Sequence, residues 1–204
     1  MTLNVKTFVE PPISNNNYVL IDSKSHEAVL IDCSASDDKI MAYIQEQGAT
    51  LKYILLTHAH FDHVLGVDYF QKKYHVPAYC SEKDEALLKQ INSYMQLMKL
   101  PIVVEPKIDE YIEHQALNIG RYPIQVIPTP GHTRGGVCYL IDNMLFSGDT
   151  LFKGSYGRTD LPDSNEHDMQ QSLQLLFKTL QDDIIVYPGH GETTTIKHER
   201  KLYK

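Results

Sequence analysis

Ten consecutive residues of this 204-residue chain, Thr57-His58-Ala59-His60-Phe61-Asp62-His63-Val64-Leu65-Gly66, contain four side chains able to bind a metal ion. His58 and His60 are two apart, so an extended segment points both imidazoles to one side. Asp62 and His63 follow where the chain turns into a helix, which splays them toward a neighbouring point. A short segment that shows two imidazoles one way and a carboxylate plus an imidazole another can serve two adjacent cations. A hydrophobic core requires none of these side chains.

Three later segments share one local design. Ile127-Pro128-Thr129-Pro130-Gly131 leads into His132, Leu145-Phe146-Ser147-Gly148 into Asp149, and Val186-Tyr187-Pro188-Gly189 into His190. Each apolar run reaches a glycine, which lets the backbone pass close to a crowded centre, and then a metal-type residue. Imidazole and carboxylate suit zinc, iron or manganese, and the lack of thiolates at these places argues against a closed structural cysteine site. Five histidines and two aspartates are too many for one tetrahedral ion. They fit two divalent ions: three histidines on one, an aspartate and two histidines on the other, and one carboxylate shared. A shared, open pair is a catalytic arrangement.

Composition narrows the setting. The length favours one layered domain over residues 1–204, and an apolar fraction of 42% can build a sizeable core. A net charge of −7 argues against a nucleic-acid binder that neutralises phosphates. No apolar run approaches the roughly 20 residues of a membrane span. The opening Met1-Thr2-Leu3-Asn4-Val5-Lys6 lacks a signal peptide's basic start and apolar stretch. Cys33, Cys80 and Cys138 are odd in number and widely spaced, so no disulfide framework is suggested. The expectation is a cytoplasmic protein with no membrane or nucleic-acid partner.

The elements that must position these groups follow from periodicity. Asn17 to Asp22 and Ala28 to Asp32 read as paired strands across a polar turn. Asp37 to Gln47 reads as a helix ending at Gly48, with Ile40, Met41 and Ile44 on one face. Tyr53 to Leu56 is a short strand delivering the histidine run, and Val67 to Tyr74 continues as a helix. Val76 to Cys80 reads as a strand, after which Ser81 opens a helical stretch bearing Leu87, Leu88, Ile91, Met95 and Met98. Strands follow at Gln125 to Pro128, Val137 to Ile141 and Met144 to Phe146. Glu166 to Leu180 is the clearest helix and Asp182 to Tyr187 the last strand. Strand pairs early, strands late and helices between suggest two sheets with helices outside them, an α/β (α+β) arrangement.

The motif set resembles the metallo-β-lactamase fold superfamily, whose His-x-His-x-Asp-His run and later His, Asp and His it matches in order. Within that superfamily it looks most like the glyoxalase II group. The stretches that carry this likeness are Thr129-Pro-Gly-His132-Thr133, Phe146-Ser-Gly-Asp149-Thr150, Gly157-Arg-Thr-Asp160-Leu-Pro162 and Tyr187-Pro-Gly-His190-Gly-Glu192. The resemblance implies a four-layer αβ/βα sandwich. By position it puts His58, His60 and His132 on the first metal, Asp62, His63 and His190 on the second, and Asp149 between them. It implies hydrolysis of a small-molecule thioester or ester of hydroxyacyl-thiol type, with zinc first among the metals and Asp62 catalytic.

Two departures bear on the substrate. The chain ends at Lys204, whereas full glyoxalase II proteins continue into a helical domain that helps hold glutathione, so this chain looks like a short relative. Asp163-Ser164-Asn165 replaces a Gly-rich segment.

Other residues invite weaker readings. Tyr156 and Arg158 are candidate substrate contacts, although Arg158 and Asp160 also suit a structural ion pair. Cys33 could face the site or be an inert buried thiol. The stretch from Leu87 to Leu100 suits a flap over the site or plain core packing. His26, His75, His114, His167 and His198 match no motif. The rival activity is a mono-iron oxidoreductase, similar to persulfide dioxygenases, with iron on His58, His132 and Asp149.

Overall fold

The computed structural model describes residues 3–36 and 38–203, and of His114 only the backbone. A six-stranded sheet holds β1 (Leu3–Glu10), β2 (Asn15–Asp22), β3 (Glu27–Ile31), β4 (Thr50–Leu55), β5 (Ala78–Cys80) and β6 (Glu110–Tyr111), in that order. The first three are antiparallel neighbours and the last three join in parallel. The parallel joins are crossovers through α1 (Lys39–Glu46), then α2 (Phe61–Val64) and α3 (Val67–Tyr74), then α4 (Glu85–Lys89) and α5 (Ile91–Leu97). A small ribbon, β7 (Asn118–Ile119) with β8 (Tyr122–Pro123), leads to the second sheet.

That sheet contains β9 (Gln125–Pro128), β10 (Val137–Ile141) and β11 (Met144–Gly148) as antiparallel neighbours. A side hairpin, β12 (Leu151–Phe152) with β13 (Ser155–Tyr156), follows, and then α6 (Glu166–Thr179). The sheet is completed by β14 (Ile185–Pro188), parallel to β11, and β15 (Thr194–Thr195), after which α7 (Ile196–Leu202) covers its outer face.

Period-two alternation sorts the strand residues into three apolar layers. Val19, Ile21, Ala28 and Leu30 face outward under Ile40, Ile44 and Phe70 of the first helical layer. Tyr18, Leu20, Val29 and Ile31 face the other sheet, where Tyr139, Ile141 and Phe146 meet them. Cys138, Leu145 and Val186 pack on Met169, Leu173 and Leu176 of α6 and Ile196 of α7. The molecule is the four-layer αβ/βα sandwich that the motifs imply.

Most expected elements stand within a few residues of their predicted limits. The first helix starts at Lys39, and the predicted start at Asp37 lies outside the described residues. The strand before His190 begins at Ile185, because Asp182 and Asp183 form the preceding turn. The helical stretch after Ser81 is not continuous. It opens with a 3-10 turn at Glu82–Asp84 and breaks at Gln90, whose N–H bonds to Leu87. β1, the short strands β6 to β8 and α7 go beyond the sequence reading.

The sheets are sewn together at the edge where the ligand-bearing loops emerge. The Tyr18 hydroxyl donates to the carbonyl of Pro188 at 2.6 Å, and the Tyr139 hydroxyl to that of Leu56 at 2.7 Å. Backbone bonds Val137 N–H to Thr57 O (2.9 Å) and Asn16 N–H to Gly189 O (2.7 Å) complete the seam. Both tyrosines are buried; Tyr139 satisfies the Leu56 carbonyl between the layers, and Tyr18 shares the Pro188 carbonyl with the Asn16 amide (3.0 Å). Tyr139→Phe is expected to cost about 1–3 kcal/mol through the orphaned Leu56 carbonyl. Urea denaturation checks this, and an unchanged midpoint would show that the seam does not depend on that hydroxyl.

Candidate metal centre

All seven predicted ligands meet at the seam. His58 to His63 follow β4, His132 follows β9, Asp149 follows β11 and His190 follows β14. Ligand-type atoms of His58, His60 and His132 lie within 4.8 Å of one another, as do those of Asp62, His63 and His190. A third such set, His58, His63 and Asp149, joins the first two. Asp149 reaches both sides: its Oδ2 is 3.3 Å from His132 Nε2 and 3.7 Å from His190 Nε2, and its Oδ1 is 3.4 Å from His63 Nε2. Asp62 Oδ2 stands 3.2 Å from His190 Nε2.

The close approach depends on two glycines. Gly148 sits at φ 49°, and a Cβ there would come within 2.4 Å of Thr57 Oγ1. A Cβ on Gly189 would lie 2.3 Å from Asp149 Oδ1 and 2.9 Å from His63 Cε1, inside the cluster itself.

Hydrogen bonds behind the rings fix which nitrogen faces inward. His132 Nδ1 donates to Arg158 O (2.8 Å), His190 Nδ1 to Ser14 O (3.2 Å) and His63 Nδ1 to Asp32 Oδ2 (2.8 Å). His58 Nδ1 lies 3.1 Å from Thr57 Oγ1, whose own proton goes to Asp32, so His58 donates there. Each of these four rings therefore turns its Nε2 toward the centre. There that of His58 has no partner, that of His132 meets His60 Nδ1 (2.9 Å), that of His63 meets Asn15 (2.7 Å) and that of His190 meets Asp62 (3.2 Å).

Two buried carboxylates do this positioning, and sequence reading missed both. Asp32, in the left-handed region at φ 58°, accepts from Thr57 N–H, Thr57 Oγ1 and His63. Asp84 accepts from Ala59 N–H (3.0 Å), Thr133 Oγ1 (2.8 Å) and Gly135 N–H (2.6 Å), clipping the histidine run to the His132 loop. One signal was available for Asp32: an all-apolar strand that ends on a carboxylate. Asp84 reads as an ordinary residue of a helix's first turn.

Electrostatics leave the inward atoms able to bind a cation. Burial, then the neighbouring His63, pushes His58 well below the usual histidine range, and burial with His132 brings His60 down to about 3. Both rings are neutral at pH 7, with free lone pairs. Burial disfavours ionised Asp62 and Asp149, yet the surrounding histidines, His63 foremost and then His190 (with His132 for Asp149), together outweigh it and hold both carboxyls below their ordinary value. Burial likewise opposes a charge on His63, but Asp32, Asp62 and Asp149 overcome it and raise its pKa well above the ordinary value.

His58 Nε2, His60 Nε2 and Asp149 Oδ1 are buried without any hydrogen-bond partner. Bare acceptors packed this tightly carry a heavy desolvation cost, and a divalent cation offsets it. Nitrogen and oxygen donors with no sulfur fit zinc, iron or manganese.

The other sequence candidates fall away from the centre. Arg158 closes a two-pronged ion pair on Asp160 (2.7 Å for each prong), so only its carbonyl serves the site. The Tyr156 hydroxyl donates to Glu166. Cys33 is buried, while His26, His75, His167 and His198 are exposed.

The sequence model of the metallo-beta-lactamase superfamily matches residues 12–190, and the chain belongs to that superfamily. Bacillus subtilis YqgX, named a probable metallo-hydrolase, is 34% identical over 93% of this chain and 90% of its own. The Haemophilus influenzae hydroxyacylglutathione hydrolase GloC is 31% identical, covering 91% and 90%. The crystal structure of the BLEG-1 B3 metallo-beta-lactamase superposes with a TM-score of 0.88 at 33% identity, covering 97% of each chain. Fold, site and relatives define a metallo-hydrolase.

Asp32→Asn is expected to weaken zinc binding about 10–100-fold by releasing His63 from its fixed orientation. Competition against a chromophoric chelator measures this, and wild-type affinity would show that Asp32 does not hold the ring. Gly189→Ala is expected to lower bound metal per chain, read by elemental analysis, because its methyl group displaces the Asp149 carboxylate.

Proposed function

We propose that the chain is a dinuclear metal hydrolase of small thioesters. In this reading His58, His60 and His132 hold one divalent ion, Asp62, His63 and His190 hold the other, and Asp149 bridges them. The observation that carries it is the position of Asp149, whose two oxygens face histidines of both sets. Ions held there lower the pKa of water from 15.7 to about 7, supply hydroxide at neutral pH and polarise a carbonyl.

The protein's own residues set the geometry. Asp62 is kept ionised, so its Oδ2 accepts a hydrogen bond from the attacking water and orients it. The hydroxide oxygen bonds to the carbonyl carbon, the carbon–sulfur bond breaks, and the sulfur leaves with the bonding pair. A thiol with a pKa of about 8.5 departs as thiolate with little help, whereas an amine must be protonated first. The cluster offers carboxylates held ionised and, at His58 and His60, imidazoles held neutral, which suits the first leaving group better. The likeness to GloC, whose name specifies a hydroxyacylglutathione, supports a thioester.

Protein of known metal content, assayed on thioesters, lactones and persulfides, tests the reading. Two ions per chain with stoichiometric thiol release is the expected result. One iron with oxygen uptake on a persulfide would replace it with the dioxygenase. Asp149→Ala is expected to lower both metal content and kcat by at least 100-fold, and full retention of both would remove the bridging role.

A further inference from the structure

The metal centre opens unevenly. The His190 side chain is 25% exposed, against 12% for Asp149, 8% for His132 and 0% for His63. Approach is therefore over His190. Phe152 stands there, half-buried, with its ring centre 6.1 Å from that of His190 and nearly perpendicular to it. On the other side Tyr94 meets the His60 ring in the same manner at 6.2 Å. One aromatic ring flanks each ligand set.

Both rings are held by contacts that serve no ligand. Phe152 rides on the β12–β13 hairpin, whose two-residue strands are too short to be stable alone. Glu199, a fully buried carboxylate of α7, accepts from Gly154 N–H at the hairpin tip (3.0 Å) and from Thr194 Oγ1 (2.6 Å). Lys153 adds a 2.5 Å ion pair to Glu192, beside His190. Burying a carboxylate is costly, and the arrangement it secures is the placement of this hairpin.

Tyr94 is fixed as firmly. Asn92, two residues earlier, bonds the Val103 backbone through both amide atoms (3.1 and 2.9 Å). The Tyr94 hydroxyl lies toward the Asp163 carboxylate, and the adjacent Ser164 donates to His132 O at 2.8 Å. The departure at Asp163-Ser164-Asn165 thus ties the α5 flap across the first ligand set. The cations of the neighbouring segment, Lys153 and Arg158, are engaged by Glu192 and Asp160. With those cations engaged, Phe152 and Tyr94 are left as the aromatic faces beside the two ligand sets.

We propose that Phe152 and Tyr94 are specificity-determining residues, each contacting the group on one side of the thioester bond and favouring aryl or alkyl groups over hydroxylated or charged ones. This deepens the hydrolase reading and rests on it. An apolar wall discriminates by roughly tenfold or more for each group that fills it.

Two substrate panels test the proposal on metal-loaded protein. One varies the acyl group on a fixed thiol (acetyl, lactoyl, butanoyl, phenylacetyl), and the other varies the thiol from cysteamine to benzyl mercaptan. Wild type should prefer phenylacetyl to lactoyl about tenfold in kcat/KM. Phe152→Ala should flatten one panel and Tyr94→Ala the other. Phe152→Leu should keep the alkyl preference and lose the aryl one, through KM rather than kcat. A lactoyl preference in wild type, or equal losses on every substrate at unchanged metal content, would overturn the proposal.

If wild type hydrolyses no thioester, the hydrolase reading falls, and binding to cobalt-loaded protein decides the role of the rings. Either alanine variant should then weaken benzyl mercaptan about tenfold and leave 2-mercaptoethanol unchanged, measured by the thiolate charge-transfer band. Equal weakening of the two thiols would again overturn it.

Discussion

Concentrating lone pairs in a dry place is the constraint on which the rest of the structure depends. His58, His60, Asp62, His63 and His132 are all buried, and their inward atoms face one another with little water to screen them. His63 and the carboxylates of Asp62 and Asp149 attract one another, but the neutral imidazoles of His58 and His60 gain little from such pairing, so the scaffold must hold them in place. The tyrosine-to-carbonyl seam between the sheets does this, together with Asp32 and Asp84 behind the loops. Each of these bonds is buried, where it is electrostatically stronger than in water.

How much of this the sequence disclosed follows from how local each signal is. The convergence of seven ligand-type side chains was legible because they stand in four short segments that each follow a strand, and the glycines before Asp149 and His190 mark the crowding directly. The layers were legible because β2, β3, β10 and β11 alternate cleanly or are buried throughout. β1 was not, because it is an edge strand whose residues are mostly half-buried or exposed, which blurs the period. β6, β7 and β8 are two residues each and have no period to read. α7, with the sequence Ile-Lys-His-Glu-Arg-Lys-Leu, shows a polar surface that hides its two buried anchors, Ile196 and Glu199.

The positioning residues were illegible for a different reason. Asp32 and Asp84 act on residues 25 positions away in the chain, and a carboxylate's partner at that distance leaves no spacing rule. Arg158 shows the converse. Its side chain makes the ion pair with Asp160 that the sequence also suggested, while the site uses its backbone carbonyl, an atom every residue type offers. Residue identity at such a position says nothing about the role.

The two ligand sets are unlike in a way that gives the site a direction. In the assignment proposed here the first set is three imidazoles, two of them held neutral by burial, lying against the Tyr94 side. The second contains Asp62 and the most exposed ligand, His190. A cation in the first set keeps more of its positive charge, in drier surroundings where that charge acts more strongly on a polarisable group. A cation in the second set is partly neutralised and faces the opening, where a ligand can exchange. In the proposed thioesterase reading, carbonyl polarisation would belong to the closed side and departure of the thiolate to the open one, with Asp149 standing between the two sets.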